Sequence, residues 1–148
     1  MKSVTKLNRL LDLRRHEEER CKIEVARARQ AVRDAEGALE RLEVQRAELE
    51  SANEGAQNES VGQMRTLRFL LDQVDKGIQN ARTLHSLATD TAEGKLAELA
   101  EAIRQRESLE RIVIPRQEQI RTMQRMAEQK LDDEAALTRF RVGGQNVS

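Results

Sequence analysis

The chain contains few aromatic residues, and this shortage excludes most compact folds. Its 148 residues include two Phe, no Trp and no Tyr, whereas charged residues make up 35% of the sequence. An ordinary globular core of this size would contain about 10 aromatic side chains, because these dominate core burial. A composition rich in Ala, Glu, Leu, Arg and Gln is typical of long helices and coiled coils. The regular spacing of Leu, Ile and Val argues against extended disorder.

Other absences limit the location and the partners of the chain. No stretch approaches the ~18 apolar residues of a membrane span, and the N-terminus has no apolar segment that would direct secretion. The single cysteine, Cys21, cannot form a disulfide within the chain and fits a reducing compartment. We therefore expect a cytoplasmic protein. The net charge is zero and is balanced locally as well, so the basic stripe of a nucleic-acid-binding protein is missing and no nucleic acid is expected as a partner.

The groups that could carry chemistry are isolated from one another. His16 and His85 lie on different predicted helices without a neighbouring Cys or His cluster, whereas a zinc site needs three or four convergent ligands. The glutamates at 17–19 are interpreted as a solvated helical face, because nothing there desolvates the carboxylates. Glycine-rich phosphate-binding motifs are also missing from the sequence. We predict no catalytic site, no metal site and no cofactor, and hence a protein that is not an enzyme.

A heptad repeat runs through residues 1–50, which are predicted to form helix one. Counting Val4 as position a, fourteen successive a and d positions follow, and eleven of them are apolar. A repeat that is unbroken for about six heptads predicts a left-handed supercoil. Arg14 and Glu18 interrupt the apolar seam with charge. The predicted seam consists of Val4, Leu7, Leu11, Arg14, Glu18, Cys21, Val25, Ala28, Val32, Ala35, Leu39, Leu42, Arg46 and Leu49.

A second heptad repeat follows a polar segment. Residues 51–63 are rich in Gly, Asn and Ser and are predicted to form a loop. The last four of them match the S-x-x-Q capping box, so a second helix is expected to begin at Val61 or Gly62. In residues 64–114 eleven of fourteen seam positions are again apolar. This seam consists of Leu67, Leu71, Val74, Ile78, Ala81, His85, Ala88, Ala92, Lys95, Leu99, Ala102, Arg106, Leu109 and Val113.

The sequence contains two places where the second helix could be interrupted. Residues 88–94 have low helix propensity and could restart a helix at Asp90. Pro115 lacks an N–H group and clashes with the carbonyl group four residues earlier, so we expect the helix to be kinked or interrupted there. A weaker seam continues through residues 115–141, and a double glycine leaves residues 142–148 as a frayed tail.

The two repeats match in length, and a short loop joins them. They predict an all-α fold, a single coiled-coil domain built as an antiparallel hairpin of two long helices. A fold point near residue 57 places residue i beside residue 114 − i. Glu18 would then lie level with Lys95 and Arg46 with Arg68, and residues 115–141 would overhang without a partner. A polar layer of this kind costs stability but fixes the register of the two helices.

Three segments of the chain resemble the FliJ family of flagellar export proteins and its YscO-type relatives from virulence secretion. The N-terminal LNRLLDLRRHEEERCKIEVARAR looks like the opening of that family, and FLLDQVDKGI is similar to the segment after its central loop. The segment EQKLDDEAALTRF is similar to the closing pattern K-x-L-D-E-x-A-x-x-R-F, although Asp132 stands where the family usually has Leu. The residues that match this pattern are Lys130, Asp133, Glu134, Ala136, Arg139 and Phe140.

The resemblance implies a fold and a function. Members of the family are antiparallel two-helix coiled coils that resemble the γ stalk of rotary ATPases. They sit in the pore of the export ATPase hexamer, touch the cytoplasmic domain of the membrane-bound export gate, and cycle unloaded export chaperones. For this chain the resemblance implies a stalk in flagellar type III export, needed for flagellum assembly and hence for motility and chemotaxis. Such a protein would be monomeric when free and would associate peripherally with the cytoplasmic face of the inner membrane at the flagellar base.

The resemblance also implies two contact surfaces. Export-gate contacts are expected at Phe69, Leu70 and Val74. ATPase contacts are expected near the open end of the hairpin and in the closing motif, at Arg14, Glu18, Lys130, Asp133, Glu134, Arg139 and Phe140. Two alternatives stay open: a stalk of a virulence type III secretion system, and a homodimeric coiled-coil scaffold in which Cys21 would meet the same residue of a second copy.

Overall fold

Two long helices make up the protein. The computed structural model describes residues 2–55 and 60–145. Helix α1 spans Lys2–Gly55 and helix α2 spans Val61–Gln145. No strand occurs within the two described ranges. The helices pack against each other in antiparallel orientation, which confirms the predicted all-α coiled-coil hairpin.

The start of α2 is fixed by the predicted capping box. The Gln63 backbone N–H donates to the Ser60 hydroxyl at 3.3 Å, and the Ser60 backbone N–H donates to Gln63 Oε1 at 3.1 Å. These reciprocal bonds satisfy two amide groups that have no partner within the helix. The Met64 N–H donates to the Ser60 carbonyl at 3.0 Å and closes the first turn. The predicted start at Val61 is therefore confirmed.

Both helices extend further than the sequence analysis predicts. Residues 51–55 and 61–63 are helical instead of looped, and the rest of that predicted loop, apart from Ser60, lies outside the described residues. Helix α2 continues without interruption through residues 88–94, through Pro115 and on to Gln145. The helix is thus continuous where the sequence left a restart at Asp90 open, and residues 142–145 are helical although a frayed tail was predicted there. The Thr89 and Thr91 hydroxyls each donate to the backbone carbonyl group four residues earlier, at 2.9 Å, which satisfies these groups inside the helix.

The core of the hairpin is the predicted seam. Every seam position in both helices is buried or half-buried. Val113 is the most deeply buried residue of the seam, and Cys21 is only 3% exposed. Burial raises the pKa of the Cys21 thiol, because desolvation disfavours the thiolate. The cysteine is therefore a small apolar core residue.

The register of the two helices differs by one heptad from the predicted one. Arg14 faces Gln105, Glu24 faces Lys95 and Arg46 faces Asp75, and the numbers of each pair add up to about 120 instead of 114. Seam positions match only in registers that are seven residues apart, so periodicity alone permits both. In the predicted register Arg46 would face the like charge of Arg68, whereas in the observed one it meets a carboxylate. The predicted pairing of Glu18 with Lys95 is wrong for the same reason.

This register shortens the overhang. The chain divides into two compact units, residues 17–102 and a unit that combines the N-terminal residues to His16 with those from Ile103 onward. In the second unit Gln117 hydrogen-bonds to Asn8 of α1, and Ile120 is half-buried. All residues from 121 to 143 are exposed. The unpaired part of α2 therefore begins near residue 121, not at residue 115.

Candidate partner-binding surfaces

Ion pairs along one flank hold the loop-proximal unit in register. Arg46 Nε lies 2.5 Å from Asp75 Oδ1, and Arg46 Nη1 lies 2.8 Å from Glu50 Oε1. The hydrogen bond to Asp75 is the main cause that raises the pKa of Arg46. His85 Nε2 on α2 approaches a carboxylate oxygen of Glu36 on α1 at 3.2 Å. This flank is therefore occupied by contacts between α1 and α2.

A further pair within the same unit joins Lys95 to Glu24. Lys95 Nζ lies 3.4 Å from Glu24 Oε2, and the interaction with Glu24 is the main cause that raises the pKa of Lys95. Glu24 Oε2 is buried and has no partner with good hydrogen-bond geometry among the described residues. At this distance the contact is an ion pair more than a hydrogen bond. Its other oxygen accepts from Arg20 at 2.6 Å, so the carboxylate is held on two sides.

The predicted ATPase contacts Arg14 and Glu18 face the interior of the hairpin. Arg14 is half-buried and its Nη1 donates to Gln105 Oε1 at 2.6 Å. Glu18 is buried, and Lys22 Nζ lies 3.8 Å from its carboxylate. Arg14 therefore contributes a contact between the two helices, which fits its predicted role in fixing the register, whereas the contact of Glu18 with Lys22 lies within α1. The sequence pattern did not predict the low exposure of the Arg14 and Glu18 side chains.

The predicted gate contacts are split between the surface and the core. Phe69 is 60% exposed and Leu70 is 42% exposed, as expected for residues outside the seam. Val74 is only 7% exposed and packs in the core. A partner can therefore touch Phe69 and Leu70 directly, whereas Val74 is buried in the core about one turn further along α2.

The predicted contacts in the closing motif all lie on the exposed end of α2. Lys130, Asp133, Glu134 and Arg139 are exposed, and Phe140 is 80% exposed. Apolar side chains accompany them along the same stretch, each more than half exposed: Met123, Met126, Leu131, Leu137 and Val142. A single helix from residue 121 to 143 thus combines exposed charge with an unusual amount of exposed apolar surface.

Two exposed leucines were missed by the sequence analysis. Leu84 and Leu87 are each more than half exposed and lie outside the seam. The signal was present in the sequence, since each of them stands one position before a seam residue. The seam pattern alone does not predict these two exposed residues.

Comparison with known proteins identifies the family. The family model described as Flagellar FliJ protein matches residues 1–145. The chain belongs to the FliJ family. FliJ proteins are non-catalytic components of flagellar protein export, so this chain is a component of that export system and acts with its apparatus. No curated protein and no solved structure matches the chain. Within the described ranges of this FliJ protein, none of the helices has the length and apolar character needed to cross a membrane.

Proposed function

We propose that the chain is the stalk of a flagellar type III export apparatus, where it connects the export ATPase hexamer, the export gate and the export chaperones. The observation that carries the proposal is the exposed end of α2. Residues 121–143 extend beyond the last contacts with α1 and expose apolar side chains along their length. Packing, and not intrinsic propensity, supplies most of the stability of a helix in water. A partner that covers this segment would provide the packing that the hairpin does not.

The pore of the export ATPase hexamer is the proposed partner of this segment. Phe140 is the main anchor, because exposed aromatic side chains contribute strongly to interfaces. The exposed charges of the closing motif, at Lys130, Asp133, Glu134 and Arg139, would set the orientation of the helix in the pore. Arg14 would contribute by holding the hairpin in register through Gln105 of α2, and Glu18 would contribute as a buried polar position of the seam.

Truncation tests the ATPase contact. A chain that ends after Ile120 keeps every described contact between α1 and α2, so its thermal midpoint should stay close to that of the full chain. It should bind the export ATPase hexamer much more weakly and should not stimulate ATP hydrolysis. A chain that ends after Ile114 also loses Gln117 and Ile120, and should melt at a lower temperature.

Point variants separate the anchor from general effects of truncation. Phe140→Ala should weaken ATPase binding by about tenfold or more, as expected for an aromatic anchor. Val44→Ala is the matched control, because Val44 is an exposed apolar residue of α1 outside the proposed contact. Full stimulation by the chain truncated after Ile120 would show that the exposed end of α2 is not the working tip of the stalk.

The export gate is the proposed partner of Phe69 and Leu70. The double variant Phe69→Ala with Leu70→Ala should weaken binding to the cytoplasmic domain of the gate by tenfold or more while helicity is unchanged. The control is Ile23→Ala with Val44→Ala, two exposed apolar residues of α1. Val74 is left intact, because its substitution would open a cavity in the core. Equal gate affinity and normal motility in the Phe69/Leu70 variant would contradict the proposed contact.

The remaining parts of the proposal concern chaperones, location and oligomeric state. We propose that the stalk escorts unloaded export chaperones at the cytoplasmic face of the inner membrane, where it is needed for motility and chemotaxis. A monomer when free is favoured over a homodimeric scaffold, because Cys21 is buried inside the hairpin of its own chain and could meet a second copy only after unpacking. Light scattering of the purified chain measures the difference directly.

A further inference from the structure

The two flanks of the loop-proximal unit, residues 17–102, have opposite chemistry. One flank carries the ion pair of Arg46 with Asp75 and the contact of His85 with Glu36. On the other flank α2 places Leu70, Gly77, Leu84 and Thr91, at intervals of seven residues and each one position before the seam.

A second row on α2 continues this uncharged surface outward. It consists of Gln73, Asn80, Leu87 and Gly94, again at intervals of seven residues, and all four are exposed. The two rows together follow the alternating spacing of three and four residues that defines one face of a helix in a coiled coil. Neither row contains a charged residue between 70 and 94, although 35% of the chain is charged.

Helix α1 lines the same flank with small or uncharged residues. Ala31, Ala38 and Gln45 occupy the equivalent positions, each one before the seam. A Cβ atom at Gly77 would lie 3.6 Å from the Leu42 methyl groups, which shows that this row faces α1. In a two-stranded coiled coil such flanking positions are usually charged. Apolar residues at a, d and one flank are instead the pattern of a helix that packs on more than one neighbour.

Charged residues border this uncharged flank in an ordered way. In the observed register Arg41 of α1 and Lys76 of α2 edge it at nearly the same level, and both are exposed. Asp34 lies seven residues from Arg41 on α1 and Asp90 lies fourteen residues from Lys76 on α2, so the two levels are on average about ten residues, or roughly 15 Å, apart along the helix axis. The middle of the border is thus positive at one level and negative at the next, and Glu48 and Arg27 of the same α1 row lie toward its two ends.

We infer that the uncharged flank binds an amphipathic α-helix of a partner protein, which packs as a third helix along residues 70–94 of α2. Its apolar face would cover Leu84 and Leu87, and the small residues would let its backbone come close. Acidic side chains of the partner would lie opposite Arg41 and Lys76, and basic ones about three turns away. This inference does not depend on the proposed ATPase contact, and it extends beyond the proposed gate contact, with which it shares Leu70.

Three synthetic peptides test the inference with the full chain. Each has four heptads with Leu at positions a and d and a fluorescent label. The first carries Glu at one level and Lys ten residues away, the second carries Glu at both levels and the third carries Lys at both. Fluorescence anisotropy should show that the mixed peptide binds about tenfold more tightly than either single-sign peptide, because only it meets opposite charge at both levels. The mixed peptide can bind parallel or antiparallel to α2. A peptide of reversed sequence would therefore meet the same charges and is not a valid control.

Variants of the chain localise the binding. Leu84→Glu with Leu87→Glu should weaken binding of the mixed peptide by roughly 100-fold, since two leucines lose their apolar cover. Gln79→Glu with Ser86→Glu adds the same charge to exposed positions outside the two rows and outside the border row of Lys76 and Asp90, and should leave binding unchanged. Because all four residues are exposed, both variants should keep the thermal midpoint of the native chain, which circular dichroism can verify.

The same pair of variants extends the test to cells. In a flagellated strain that carries the chain, L84E/L87E should reduce the swimming halo, and Q79E/S86E should not, at equal protein levels. Equal affinity for all three peptides, unchanged affinity of the L84E/L87E variant, or a normal halo in that variant would each overturn the inference. Failure of the gate contact would appear separately, as unchanged gate affinity of the Phe69/Leu70 variant.

Discussion

Replacing Gly77 with alanine should stabilise the hairpin by about 1–1.5 kcal/mol. Glycine in the interior of a helix is about 0.8–1.0 kcal/mol less favourable than alanine. Gly77 has no positive φ angle that alanine would have to strain. Its added methyl group would meet the Leu42 Cδ1 and Cδ2 atoms at 3.6 Å, an ordinary van der Waals contact. Partial burial of this methyl group contributes up to about 0.5 kcal/mol.

Gly94 provides the matched control within the same helix. A Cβ atom there would meet nothing within 4 Å, so Gly94→Ala should gain the propensity term alone, about 0.8–1.0 kcal/mol. The difference between the two variants reports the contact with Leu42. It should disappear when Leu42 is itself replaced by alanine, because the methyl group then loses its neighbour.

Urea unfolding followed by circular dichroism at the helical band measures these free energies. For a chain of this size the Gly77→Ala gain corresponds to a rise of about 3–5 °C in thermal midpoint. A destabilised Gly77→Ala variant would refute the expected fit against Leu42. Equal gains at Gly77 and Gly94 would show that α1 and α2 do not pair in the register in which Gly77 faces Leu42.

Three further predictions concern charged and buried groups. The pKa of Lys95 is raised above its ordinary value of 10.5, so the stabilising contribution of Lys95 is complete below that pH and is lost as the pH rises through the raised value. The difference in thermal midpoint between the native chain and Lys95→Gln should therefore be constant from neutral pH to about pH 10 and shrink above it. Cys21 should react with a thiol reagent much more slowly in the folded chain than in urea, because it is buried and its thiol pKa is raised; rapid reaction of the folded chain would contradict its place in the core. Glu18→Leu should raise stability by about 1–2 kcal/mol in urea unfolding, because an apolar side chain replaces a buried carboxylate at a seam position; a loss of stability would show that the polar layer is stabilising in itself.

The candidate surfaces were only partly predictable from the sequence. Phe69 and Leu70 could be placed at the surface because they stand outside the seam, and exposure of Phe140 followed from its position beyond the hairpin. Val74 occupies a seam position and was therefore expected to be buried. This position conflicts with the direct gate contact that the family resemblance implies for Val74. The uncharged flank that contains Leu84 and Leu87 can be recognised only when the position of α1 beside α2 is known.

Local sequence patterns were sufficient to predict which residues form the core and where the second helix begins. A heptad seam depends on local periodicity, and a capping box on residues three positions apart, so both can be read without knowing the fold. Every seam position is accordingly buried or half-buried, and Ser60 and Gln63 form the predicted bonds.

The register of the two helices, and with it the extent of the unpaired end, depends on tertiary contacts that local patterns do not specify. A heptad pattern repeats every seven residues, so the apolar contacts of adjacent registers are nearly equivalent. Contacts between residues far apart in sequence, such as Arg46 with Asp75 and Gln117 with Asn8, distinguish one register from the next. Because these contacts pair α1 with α2 as far as residue 120, the segment left for a partner begins at residue 121.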